Sequence, residues 1–102
     1  MKVDILGTEY AIVESRELES NSDGDCNFYS KLIRIRPLEQ LLRGEGTDKE
    51  KEIRQKEVIR HEVVHAFLYE SGLHDMACDE ELVDWLAVQL PKINEVIKKA
   101  GG

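Results

Sequence analysis

The first thirteen residues alternate apolar and polar positions, with Val3 and Ile5 before Gly7-Thr8 and Tyr10 with Ile12, or Ala11 with Val13, after it. Alternation of period two on both sides of a glycine predicts two short strands joined by a tight turn. Glu14 to Asp25 is polar and rich in Ser, Asn, Asp and Gly, which reads as a loop closed by a turn at Asp23-Gly24-Asp25. Leu32, Ile33 and Ile35, after Tyr29 or Ser30 and interleaved with Arg34 and Arg36, predict a third strand. Pro37 has no N–H for a ladder, so this strand is placed near a sheet edge with the two arginines in solvent, where they would also meet an acidic substrate. Leu38, Leu41 and Leu42 add a turn of helix before the break at Gly44-Glu45-Gly46.

Thr47-Asp48-Lys49-Glu50 has the form of a capping box, in which the Thr hydroxyl and the Glu carboxylate satisfy free amides at a helix start. A long helix is therefore predicted from there to Gly72. Its first turns are nearly all charged, whereas Val58 to Leu68 carries Val58, Ile59, Val63, Val64, Ala66, Phe67 and Leu68 on almost every side. A helix apolar all round is a buried one. From Asp79 to Lys99, Leu82, Leu86, Leu90, Ile93 and Ile97 recur at spacings of three and four, a stripe that should pack on the first helix. Pro91 should bend or restart this segment, Trp85 should fill the core between the helices, and Gly101-Gly102 should fray. There is no internal repeat.

Strands followed by helices in 102 residues make one small α+β domain, a small antiparallel or mixed sheet packed on helices. Its 41% hydrophobic content supports a core, although so short a chain buries a small share of its surface and gains from a bound metal. Fourteen basic residues against 21 acidic give a net charge of -7, which with no basic cluster argues against nucleic-acid and anionic-membrane partners. No apolar run approaches the roughly 18 residues of a spanning helix, and the first residues lack the long apolar segment of a secretory signal, so a cytoplasmic location is expected. Cys26 and Cys78 lack zinc-ribbon or CxxC spacing and are expected as free thiols.

The most apolar stretch holds His61-Glu62-Val63-Val64-His65, an HExxH pattern. Residues four apart on a helix lie one above another, so both imidazoles can converge on one ion, while Glu62, rotated by about 100 degrees, can reach water held there. Zinc lowers the pKa of such water and the glutamate takes its proton. Shuffled composition produces the pattern by chance in roughly one chain in a hundred, and two histidines and a glutamate buried without partners would be costly, a cost that a metal removes. The bland alternative is a set of hydrogen-bonded core residues.

Val58-Ile59-Arg60-His61-Glu62-Val63-Val64-His65-Ala66-Phe67 resembles the longer zincin pattern of metallopeptidases. Arg60 to Leu73, followed by Glu80-Glu81-Leu82-Val83-Asp84-Trp85-Leu86-Ala87, is similar to small metallopeptidase-like proteins of phage and prophage genomes, relatives of the ImmA/IrrE-like peptidases. Residues 58 to 90 carry the resemblance, and the first 45 only as a strand layout. A metzincin would place a glycine and a third histidine where Leu68 and Ser71 stand, and His74 falls too late. In gluzincins a glutamate of the following helix completes the site and an acid one turn later supports it, an offset that Glu80 and Asp84 share. Glu80, Val83, Asp84 and Ala87 also fall on one helical face, and Asp84 is placed to hold the free nitrogen of a ligating histidine.

The resemblance thus implies a zinc peptidase cutting a peptide or protein substrate, with His61, His65 and Glu80 as ligands and Glu62 as general base. Glu81 and His74 remain open as the third ligand, and both carboxylates also suit a solvated helix N-terminus. Tyr69, Tyr29 or His74 are the options for an oxyanion donor, and Cys78 for a ligand closing a latent site. By the same resemblance the strand ending at Pro37 is where an extended substrate would pair. Two rival readings are a closed, non-catalytic zinc site and a phage-type regulatory interaction protein that keeps only the shell of a peptidase. Substrate identity and oligomeric state have no signal in the chain.

Overall fold

The computed structural model describes all 102 residues. Four strands, β1 (Lys2–Ile5), β2 (Thr8–Glu14), β3 (Gly24–Asn27) and β4 (Leu32–Ile35), precede a 3-10 segment at Leu38–Gly44 and three helices, α1 (Asp48–Glu70), α2 (His74–Ala77) and α3 (Glu80–Ala100). The fold is α+β, as the order of patterns predicts. The sheet runs β1-β2-β4-β3, antiparallel except for the β2/β4 pair. β1 and β2 form the expected hairpin around Leu6-Gly7.

β4 lies inside the sheet and not at an edge, because Pro37 follows its last ladder residue and removes no bond from it. The free edge next to it is β3, and the predicted turn at Asp23-Gly24-Asp25 is the start of that strand. Ion pairs hold it there: Asp25 binds Arg34 across the ladder, and Asp23 binds Arg36 at 3.4 Å and Arg54 of α1 at 2.9 Å. The arginines expected in solvent therefore fasten the edge strand.

The capping box at Thr47 and Glu50 forms as read. α1 lies on the sheet, and Ile5, Tyr10, Ile33, Ile35, Val58 and Ala66 make the shared core. The Val58 to Leu68 stretch of α1 is not buried all round, since Phe67 faces solvent. α3 crosses α1 through Val83 and Ala87, while Trp85 stays 54% exposed instead of filling the seam. Nothing covers α3 beyond Leu90, where Ile93, Val96 and Ile97 are exposed.

α3 also continues unbroken through Pro91. Proline cannot donate to the carbonyl four residues back, here that of Ala87, and Arg60 Nε donates to that oxygen instead at 2.7 Å. The end of α3 does not fray: Gly101, at φ 91°, turns left-handed and donates back to the last helical carbonyls. No helix is long and apolar enough to cross a membrane.

Candidate metal centre

His61 and His65 stand one turn apart on the half of α1 that faces α3, and Glu80 opens α3 directly opposite. Asp79 caps that helix by accepting from the Leu82 amide, which fixes where its first turn starts. The result is a triangle. His61 Nε2 is 3.0 Å from Glu80 Oε2, His65 Nε2 is 3.1 Å from Glu80 Oε1, and the two Nε2 atoms are 3.1 Å apart.

The far sides of both rings decide what this triangle is. His65 Nδ1 lies 2.5 Å from the carbonyl oxygen of Ala77, which only accepts, so Nδ1 carries the proton. His61 Nδ1 lies 2.8 Å from Asp84 Oδ1, and donates in the same way. In a neutral imidazole that leaves each Nε2 as a bare lone pair. Two such lone pairs and a carboxylate then meet at hydrogen-bond distance with no hydrogen between them. A single cation satisfies all three at once. Donors held about 2.0–2.2 Å from one tetrahedral zinc lie about 3.3–3.6 Å apart, so a few tenths of an ångström of opening would admit the ion. His61, His65 and Glu80 are also the one group of His, Cys, Asp or Glu whose ligand atoms gather tightly, all within 4.8 Å.

Glu62 is 5% exposed as a residue, and its carboxylate makes no hydrogen bond or ion pair within the protein because its oxygens stay open to the hollow. It lines the hollow that also holds His61, His65 and Glu80. Burial, with Glu80, Asp25 and Asp84 adding repulsion, pushes its carboxyl up to about 8, and a cation among those carboxylates opposes that push. Across the hollow stands β3 with Gly24, Asp25 and Cys26. A Cβ on Gly24 would meet Val58 Cγ1 at 2.8 Å and Glu62 Cγ at 3.2 Å, so only glycine lets the strand approach the helix this closely. Burial pushes the Cys26 thiol up to about 12, Glu62 adding to it, so it stays neutral beside the site.

Of the residues singled out from the sequence, His61, Glu62, His65, Glu80 and Asp84 come together here. Cys78 lines the same hollow but lies outside the triangle, and neither Glu81 nor His74 joins it. Tyr69 is stacked between Phe28 at 4.2 Å and His74 at 4.5 Å, and neither it nor His74 lines the hollow. Tyr29 is 93% exposed. The proposed oxyanion donors are thus turned away from the triangle. The sequence reading missed the Ala77 carbonyl, a backbone group with no sequence signal, and the wall formed by β3, hidden behind turn-like composition. Comparison with known protein families, curated proteins and solved structures finds no match for this chain.

Proposed function

We propose that this chain is a zinc-dependent peptidase of the zincin type, with a gluzincin-like ligand set of His61, His65 and Glu80. The observation that supports it best is the convergence of two imidazole Nε2 atoms and a carboxylate, from an HExxH helix and the next helix, beside a largely buried glutamate that makes no hydrogen bond or ion pair. Zinc held there supplies Lewis acidity, polarising a carbonyl and lowering the pKa of water. Asp84 and the Ala77 carbonyl hold the two rings so that both Nε2 atoms face the same point. Glu62 takes a proton from the attacking water at its carboxylate and returns it to the leaving amine nitrogen. The β3 edge, running past the triangle with unpaired backbone groups, is the surface on which an extended peptide would lie. That role passes to β3 from the strand ending at Pro37, which is enclosed on both sides.

Elemental analysis of protein purified without a metal-affinity tag tests this first, with one zinc per chain expected. Glu62→Gln should keep the zinc and lose peptide cleavage by at least about a hundredfold. A parent that takes up no metal even when zinc is added would end the proposal. Cys78 on the rim favours one second reading, a closed zinc site that hydrolyses nothing. Under that reading Cys78→Ser weakens zinc binding, whereas a peptidase site keeps its affinity.

A further inference from the structure

A second hollow, of about 170 Å³, adjoins the triangle on the Asp84 side and shares His61, Glu62 and Gly24 with it. That volume is too small for a drug-sized ligand and suits one side chain. Ten residues line it, and Val58 is the one hydrophobic residue among them. Asp23, Glu57, Glu62 and Asp84 face a single cation, Arg54. The Arg54 guanidinium is already engaged, with Asp23 at 2.9 Å and Glu57 at 3.8 Å. With Glu80 next door there are five carboxylates; Arg54, Arg36 on the far side of Asp23 and, once loaded, one divalent ion leave one negative charge uncompensated.

These carboxylates do not gather on a point as ligands would, since His61, His65 and Glu80 form the one such group in the protein. They line a space that an extended cation fills and a second metal ion does not. Glu62, nine-tenths buried and with no partner for its carboxylate other than what enters the hollows, borders both of them, and Gly24 of the edge strand does the same. A peptide lying along β3 would therefore place one side chain here while its backbone crosses the triangle.

We infer that this hollow receives a basic side chain, arginine or lysine, next to the bond that is cut, with Glu57 and Asp84 as its charge partners. The inference rests on the peptidase reading for the position of that bond, but the binding preference stands apart from it. The probes are fluorescein-labelled octa-alanine peptides in which one Arg, Gln or Glu is moved through the positions. Binding to the unaltered, zinc-loaded protein is read by fluorescence anisotropy in the first seconds after mixing, and cleavage is followed on the same protein at longer times.

At one position the Arg peptide should bind about tenfold or more tightly than its Gln and Glu counterparts, the range of one partly shielded charge pair. Glu57→Gln should narrow that ratio and Glu57→Lys should erase it, with zinc content unchanged as the sign that the fold holds. Should Glu57→Lys fail to fold, the comparison of Arg, Gln and Glu peptides on the unaltered hollow still decides. Equal binding of the three peptides, no binding of any, or a preference that survives in folded Glu57→Lys would overturn the inference. Selective binding without cleavage would leave it standing and remove the peptidase reading; cleavage indifferent to charge would do the reverse.

Discussion

Two polar clusters sit on the same helix and differ in what they lack. At the C-terminal end of α1 the Glu70 carboxylate accepts from Thr8 Oγ1 at 3.0 Å, Tyr10 OH at 2.6 Å and Lys31 Nζ at 2.9 Å. Every acceptor there has a donor, and these bonds, Tyr10 first, hold the Glu70 carboxyl below the usual carboxylate range. About one and a half to two and a half turns earlier, His65 and His61 meet Glu80 of α3, and Glu62 makes no hydrogen bond or ion pair. A satisfied cluster joins sheet to helix and asks nothing of solution. The His61, His65 and Glu80 cluster is arranged so that it could hold a metal ion, which the Glu70 cluster, filled by its own donors, is not.

The largest expected effect lies at the acceptor cluster. His65→Ala or His61→Ala should weaken zinc binding by well over a hundredfold in competition titrations, and Glu80→Ala should follow them. Asp84→Asn, which touches only the far side of a ring, should cost about 10–100-fold. Loss of zinc on changing Glu70 instead would dissolve the distinction between the clusters.

Next in size is Gly24→Ala. Its Cβ would also approach the carbonyl oxygen of Arg34 to 3.1 Å, so the edge strand must move off α1 at a cost of about 1–3 kcal/mol. Peptide cleavage should fall more than zinc affinity does, because Glu62 and the edge strand move while the three ligands do not. Equal losses in both measurements would show that the strand supports the whole site.

Tyr10→Phe removes one of the three donors at Glu70 and should lower stability by about 1–2 kcal/mol in urea unfolding, with zinc content unchanged. The smallest effect is in the acid range. Because the Glu70 carboxyl is held low when folded, its contribution is complete above the unfolded value of about 4.3 and fades as pH falls through the folded one. With metal removed by chelator, the melting temperature of the parent should therefore drop more steeply than that of Glu70→Gln between about pH 5 and 3. Parallel curves would mean that Glu70 is not held low.

Local rules made part of this molecule legible in advance. The capping box at Thr47, the hairpin around Gly7, the HExxH spacing and the Glu80/Asp84 offset each depend on residues within a few positions of one another. What stayed hidden depends on distant neighbours. Pro91 is tolerated because Arg60, on another helix, takes the carbonyl that the proline leaves free. β4 became interior because β3 pairs beside it, and the Gly24 register is set by contact with Val58, both too remote for periodicity to register. The size of Trp85 suggests a core position between the helices, but they meet on the smaller Val83 and Ala87, which leaves the indole outside.

The short α2 turn gives the ligand triangle a mechanical meaning. Glu80 follows His65 by fifteen residues, and the segment between them is a bend whose outer side chains are mostly exposed. An ion held at the proposed site would close that bend as a cross-link, and closing a loop of about 15 residues removes roughly 3 kcal/mol of unfolded-chain entropy by the disulfide analogy. If the proposed site holds zinc, the melting temperature should rise with free metal concentration by mass action.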